Sequence, residues 1–352
     1  MRTASDTTTG AAVAGQREGA SAVAGVECVV IGRNEAARLQ ACLQSVLAQC
    51  RRVVYVDSGS SDGSVAIAKR LGVDVLELDR GTPFSAARAR NEGFALLRRR
   101  DAGDGFCTQF VDGDCCLASG WLQAGAQALQ RDPALGVVTG RSREEVPAAS
   151  PYNLLCDIEL DVPAGAIDEC GGVAMFRTSA LVAAGGFDAT FAAGEEPELC
   201  LRLRRLGWRL QCLAAPMMRH DAAMHSWRQW WARSMRNGRA CAESWWRHRG
   251  GPERFRAREV ARMVVWGALA PALALGAVAA YGVPGLMVAA AAAWPARGAY
   301  RLARRRGRVR AESCFYAFAC VAGKLPELLG VLQFARRLRL TTARSRGPAR
   351  PH

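Results

Sequence analysis

Val53 to Ser64 reads VVYVDSGSSDGS. A run rich in β-branched residues continues without alternation to Asp57, and a loop of Ser, Gly and Asp comes after it. Such a run marks a strand covered on both faces, as in a parallel sheet with helices on each side. On its N-terminal side, ECVVIG ends in Gly32, and Glu35 to Gln49 carries Ala36, Leu39, Leu43, Val46 and Leu47 at helical spacing. On its C-terminal side, the pattern predicts a helix over 65–71, a strand over 73–78, a helix over 85–98 and a strand over 107–112. Strands alternating with helices in this order predict an α/β fold with a doubly wound, mostly parallel, Rossmann-like sheet. In such sheets ligands bind beyond the carboxyl ends of the strands. The stretches GRNE (32–35), DSGSSDGS (57–64) and DGD (112–114) each succeed a strand, so they are expected in one crevice. Beyond 132 the pattern is less regular. GVVTGR and DECGGVAMFR read as strands, the second bounded by Gly171-Gly172, and 179–184 as a short helix. A further helix is expected from Pro197 to Leu206, with Pro at its first position and Gly207 as its stop.

Asp112 and Asp114 flank Gly113 where an apolar run ends. Asp-Gly is a strong turn signal, and a turn is the plain reading of QFVDGDCC. In an extended chain, residues i and i+2 point the same way, and two carboxylates held together repel unless a cation lies between them. A hard divalent ion with oxygen ligands, Mg2+ or Mn2+, suits the pair, and its open positions suit diphosphate oxygens. Gly113 lets a ligand approach the backbone. An EF-hand is excluded, because neither acidic stretch has the spacing or the terminal Glu.

Taken in order, GRNE, VDSGSSDGS, ARNEGF, FVDGDC, GGFD and GEEPELCLRLRRLGW resemble a family 2 glycosyltransferase of the GT-A fold over residues 26–240. The resemblance implies a nucleotide-diphosphate-sugar donor, a metal bridging its diphosphate, and inversion at the anomeric carbon. It also implies that Gly32, Arg33, Asn34, Glu35 and Asp57 line the nucleotide pocket. Ser58 stands there where many relatives carry a second aspartate, and Arg90 in ARNEGF, Asp112 and Gly113 join the donor site. Asp112 and Asp114 fall on the DxD metal motif. His220 matches a histidine often found near the metal, and is also open to a structural role. The acidic pair before the last helix is Glu195-Glu196 rather than the usual Glu-Asp. The resemblance puts the general base at Glu196, with Glu195 as the alternative. Pro197 is expected to keep Glu196 out of helical conformation and make it the N-cap, so a purely capping role is also open. In SWRQWWARSMRNG, Arg233 or Arg236 is placed to clamp phosphate, and the tryptophans suit sugars or a membrane edge.

The chain has a net charge of +15, concentrated in arginines of its C-terminal half: eleven from Arg219 to Arg262 and seven from Arg297 to Arg310. Between them, 263–296 holds no charge for 34 positions, against the about 17–25 residues that span a bilayer. Gly282-Val283-Pro284-Gly285 sits mid-run as a turn. The expectation is a transmembrane hairpin over 263–297, with a re-entrant hairpin or a buried soluble hairpin as alternatives. Residues 298–340 come next as a basic loop and an interfacial or third membrane helix. A disordered leader over 1–25, a basic amphipathic linker over 241–262 and a disordered basic tail over 341–352 complete the expected organisation. Thirteen cysteines without C-x-x-C or zinc spacing read as free thiols in a reducing compartment. Together these expect an enzyme of the inner cell membrane facing the cytoplasm. Its partners are a nucleotide-sugar donor, a lipid-linked or saccharide acceptor and the membrane, but no nucleic acid. The alternatives are a nucleotidyltransferase on the same fold and a non-catalytic membrane scaffold.

Overall fold

A computed structural model describes residues 22–100, 106–285, 287 and 294–345. The strands are β1 Val26–Gly32, β2 Val53–Asp57, β3 Asp74–Glu77, β4 Cys107–Asp112, β5 Cys115–Leu117, β6 Leu135–Glu144, β7 Gly165–Ala166, β8 Ala174–Arg177 and β9 Arg209–His220. The helices among and after them are α1 Ala36–Leu47, α2 Ser64–Arg70, α3 Ala86–Arg100, α4 Trp121–Arg131, α5 Pro151–Leu160, α6 Thr178–Ala183, α7 Glu195–Arg205 and α8 Trp227–His248. One sheet runs β3-β2-β1-β4-β8-β6-β9-β5, with β7 on β9. β3, β2, β1 and β4 are mutually parallel, as are β6 and β9; β8 is antiparallel to both its neighbours, and β5 and β7 are antiparallel to β9.

The reading of VVYVD holds in detail. Val53 and Tyr55 belong to one apolar core, while Val54 and Val56 belong to the core on the opposite face. β1 divides likewise, with Cys28 and Val30 on one side and Val29 and Ile31 on the other. Period-two alternation buried on both faces leaves no polar stripe, which is why the run is continuous. The sheet turns mixed after β4, where the sequence pattern is weakest.

α7 begins earlier than expected. Gly194, with φ of 86°, is its N-cap, and Glu195 and Glu196 are its first helical residues. Glu196 is therefore not the N-cap. Pro197 fits because the first-turn N–H groups have no intrahelical partner, so nothing is lost there. Glycine, free to adopt positive φ, makes the turn into the helix.

The C-terminal part departs further. α8 runs through residue 240 to His248, so the first part of the expected linker is helical. It starts with a capping box, in which Ser226 Oγ accepts from Gln229 N and Gln229 reaches back to the Ser226 backbone. Among the described residues, two helical stretches are long and apolar enough to cross a membrane, Ala257–Tyr281 and Arg310–Leu340, with 6% and 39% of their most apolar windows buried. The first overlaps the first arm of the expected hairpin in sequence. Most of the second arm lies outside the described residues. Past it the chain forms an arginine-bearing helix, Trp294–Arg305, whose Ala303 is buried against Leu155 and Ile158 of α5. The Lys324–Ser345 helix carries order into the expected tail. It crosses α8 at close range, since a Cβ on Gly238 would overlap Glu327 O and one on Gly330 would overlap Met235 O. Residues 1–21 and 346–352, the bulk of the expected leader and the end of the tail, lie outside the described residues.

Candidate active site

The loops after β1, β2 and β4 meet at the carboxyl end of the parallel strands, held by side-chain-to-backbone bonds. Asn34, in the left-handed region with φ of 59°, donates its N–H to Ser60 Oγ at 2.9 Å and accepts from Ser61 N at 2.8 Å. Glu35 N donates to Ser64 Oγ at 2.9 Å and Ala36 N to Asp62 Oδ2 at 3.0 Å. Ser58 N donates to Gly32 O at 3.0 Å. The DSGSSDGS loop thus holds the GRNE loop across the crevice. Arg33 lies over the Phe84 ring at 5.4 Å. Asp57 faces inward: it is buried and accepts from Gly59 N, Ser60 N, Ser60 Oγ and Tyr55 Oη. Its bonds are spent on shaping the loop, so it supports the expected nucleotide pocket from beneath.

Arg90 of α3 occupies the centre. It is 2% exposed, and its guanidinium reaches Asp112 Oδ1 at 2.9 Å, Glu195 Oε1 at 2.8 Å and Glu196 Oε1 at 3.1 Å. It gathers three carboxylates from two elements, Asp112 at the end of β4 and Glu195 and Glu196 at the start of α7. Gly172 makes this possible, since a Cβ there would overlap both Arg90 Nη2 and Asp112 Oδ2. Glu196 is raised to about 7, chiefly by burial and then by Glu195 and Asp112, against the opposing pull of Arg90. Glu195 is more deeply buried than Glu196.

Past Asp112 the chain turns. Gly113 N donates to Ile31 O at 2.8 Å, and β5 starts at Cys115. DGD is a turn that presents two carboxylates, but not as the same-facing pair expected of an extended chain. They face different partners, Asp112 toward Arg90 and Asp114 toward His220, whose Nε2 lies 3.6 Å from Asp114 Oδ2. His220 Nδ1 is 3.1 Å from Glu144 Oε2. Burial alone would lower the His220 pKa; Asp114 and Glu144 outweigh it and raise it to about 9. The ligating atoms of Asp114, Cys115 and His220 lie within 4.8 Å of one another. The Cys115 thiol is pushed well above its usual range, first by burial and then by Asp114 and Asp112, and it donates to Asp114 Oδ1 at 3.2 Å. The remaining donors fit a divalent cation: a carboxylate, an imidazole anchored from behind by a buried carboxylate, and the part-exposed Asp112 two residues away.

Arg233 is not brought to this cluster. Its guanidinium goes to Glu159, at 2.8 Å, and to Cys156 Sγ, both on α5. Residues that sequence reasoning missed are Glu144, Gly172 and Arg38. Arg38 pairs with Glu35 and donates to Asp221 O at 2.8 Å, closing the crevice beside His220. The helical spacing of α1 marks Arg38 as merely polar, and Glu144 sits in a run, Arg143-Glu144-Glu145, where charge suggests solvent. Gly171-Gly172 is visible as a break, without its cause.

Residues 28–181 match the model of the family "Glycosyl transferase family 2". The segment is a domain of that family and carries Arg90, Asp112, Asp114 and Gly172; the Glu195-Glu196 pair and His220 lie beyond it. Among curated proteins, the chain is 28% identical over 241 residues to the pre-mycofactocin glycosyltransferase of Mycobacterium tuberculosis, covering 63% of this chain and 48% of that protein. It is 30% identical over 197 residues to the succinoglycan biosynthesis protein ExoA of Rhizobium meliloti, covering 50% of this chain and 57% of that protein. It also matches 31% of a TPR repeat-containing protein of Synechococcus elongatus, at 33% identity over 136 residues and 38% of this chain. The chain thus spans between about a third and somewhat over half the length of these relatives. Among solved structures it resembles the mannosyltransferase PcManGT from Pyrobaculum calidifontis, solved with GDP-Man and Mn2+, with a TM-score of 0.58 and 20% identity over 89% of this chain and 88% of that one. The fold is GT-A.

Proposed function

We propose that the chain is a membrane-attached, inverting glycosyltransferase that moves a sugar from a nucleotide-diphosphate-sugar to a hydroxyl of a lipid-linked or saccharide acceptor. The observation that carries this reading is the Arg90 cluster. It holds Glu196, part-exposed and with its carboxyl raised to about 7, beside Asp112 at the carboxyl end of the sheet. A base poised near neutral pH is what proton removal from a hydroxyl requires. Glu196 takes the acceptor proton as the acceptor oxygen bonds to the anomeric carbon, and the bond from that carbon to the diphosphate oxygen breaks with its electron pair on the diphosphate. Arg90 and Glu195 hold Glu196 in place. The GRNE and DSGSSDGS loops form the rim where the nucleoside lies. Asp114 and His220, with Asp112 at their side, would hold Mg2+ or Mn2+. Such an ion neutralises charge gathering on the departing diphosphate.

Attachment rests on the Ala257–Tyr281 helix, whose apolar window is nearly all exposed. Arg306 and Arg308 dock on α5, which supports placing the arginine-rich stretch on the same side of a membrane as the catalytic domain. Arginine enrichment marks a cytoplasmic face. The Lys324–Ser345 helix, which forms the second half of the Arg310–Leu340 stretch, packs on α8, an arginine-bearing helix of the catalytic part, which favours an interfacial position for the stretch over a free span.

The test is a screen of nucleotide-sugars for metal-dependent release of nucleoside diphosphate. Release of pyrophosphate instead would make the chain a nucleotidyltransferase, and no turnover or nucleotide binding under any donor would make it a scaffold.

A further inference from the structure

Glu144 is a carboxylate with no side-chain exposure in a part of the molecule where burial is costly. Its surroundings explain why it stays. Oε1 accepts from Ala222 N at 3.1 Å and from Asn153 Nδ2 at 3.2 Å, and Oε2 faces His220 Nδ1 at 3.1 Å. The Asn153 amide is oriented by the network, since its Oδ1 accepts from Met224 N at 3.0 Å and leaves only the NH2 for Glu144. Two of the three neighbours can therefore only donate, and a group that only accepts is the one that satisfies them all. A carboxylate does so if the third neighbour, His220 Nδ1, also carries its proton. In the neutral ring that tautomer leaves the lone pair of Nε2 on the side of Asp114; a cation binding there displaces the second proton that the two carboxylates favour in the metal-free ring.

The carboxylate is itself held. Glu144 pairs with His220 across the β6–β9 register, so both backbones are fixed in one ladder. Glu144 N donates to Asp157 Oδ1 at 3.1 Å. Asp157, also buried, is gripped by Arg143 at 2.7 Å and by Arg308 at 2.7 Å. Arg308 belongs to the arginine-rich stretch after the Trp294–Arg305 helix. Three layers of charge therefore stand behind one imidazole nitrogen.

We propose that Glu144 is a positioning residue that fixes the tautomer and ring orientation of His220 so that Nε2 is free to ligate a divalent cation together with Asp114. The proposal rests on the metal reading of Asp114 and His220 given above. Glu144 touches neither substrate nor ion; it acts through the histidine, as buried carboxylates behind metal-bound histidines do.

Replacement by glutamine tests this at nearly constant shape. In Glu144→Gln, Oε1 still accepts from Ala222 and Asn153, but the NH2 now faces His220 Nδ1, which must become an acceptor. The proton moves to Nε2 and blocks the ligating position. The experiment measures Mn2+ binding to the full chain in detergent, without donor, from the free-ion electron paramagnetic resonance signal. Alongside it, the His220 ring-nitrogen shifts of the metal-free protein are read by NMR. The expected result for Glu144→Gln is a Mn2+ affinity lower by about 10–100-fold, with the neutral ring protonated at Nε2 instead of Nδ1. Should the glutamine variant fail to fold, Glu144→Asp keeps the charge but withdraws it from the ring, and the same loss of affinity is expected. A role in stability alone would leave affinity unchanged in whichever variant folds. The idea is overturned if His220→Ala loses Mn2+ while the Glu144 variants bind it like the parent. If His220→Ala and Asp114→Asn both bind Mn2+ like the parent, the metal reading itself fails, and the role of Glu144 with it.

Discussion

Arg90 organises the candidate site at the residue scale: one buried guanidinium is shared by Asp112, Glu195 and Glu196. Glu196 is raised to about 7, and that fixes the sign of the pH dependence. On the proposed reading Glu196 is the base and works deprotonated, so turnover at saturating donor should rise with pH through about 7 and level off above it. In Glu196→Gln that limb should vanish along with about 10²–10⁴-fold of the rate, while donor affinity holds, because the base meets the acceptor rather than the diphosphate. A parent-like profile in Glu196→Gln, with Glu195→Gln dead, would move the base to Glu195. Gly172→Ala should be damaging for a different reason. Its methyl would press on Arg90 Nη2 and Asp112 Oδ2 and open the cluster, so activity should fall several-fold or more even where the protein folds. Unchanged kinetics would show that the contact is slack. At this scale the DGD and Glu-Glu stretches were legible, because paired carboxylates at an element's end have few other uses. Glu144 and the inward turn of Asp57 were not, because burial of a charge is decided by partners that a local pattern does not reveal. Asp57 meets Ser60 within one loop, but Glu144 meets His220 and Ala222 from a segment far along the chain.

Among elements, the strands were readable wherever both faces are buried, as β1, β2 and β4 are. The start of α7 was not, because Pro197 reads as a first helical residue while a positive-φ glycine three positions earlier makes the turn. The domain boundary expected at 240 falls inside α8. Its arginines and tryptophans suggest a membrane-edge segment, yet it is the partner on which the Lys324–Ser345 helix packs. That crossing depends on Gly238 and Gly330. Gly330→Ala would bring a methyl against Met235 O and should destabilise the pair by about 1–3 kcal/mol, seen as a lower denaturant midpoint. A midpoint equal to the parent would mean that the helices separate freely. The docking of Arg306 and Arg308 on α5 makes a topological prediction. A cysteine placed at Arg304, in a background lacking the exposed Cys314, should be labelled only from the cytoplasmic side. Labelling from the opposite side would detach this stretch from the catalytic domain.

Over the whole molecule, the charge of +15 gathers around the Ala257–Tyr281 helix, while the acidic cluster lies at the carboxyl end of the parallel strands, in the crevice. That division suits an enzyme that rests on an anionic surface and works on an acceptor near it. Order and spacing of motifs carried the fold class from sequence alone; the mixed half of the sheet and the packing of the last helices needed coordinates, because neither leaves a periodic trace. The central claim is sugar transfer by this acidic cluster, and its most direct measurement is release of nucleoside diphosphate from a panel of nucleotide-sugars with Mn2+, by the full chain and by Asp114→Asn. The account predicts release by the parent with at least one donor, dependence on the metal, and loss in a folded Asp114→Asn. Full metal-dependent release in that variant, or release of pyrophosphate by the parent, would contradict it.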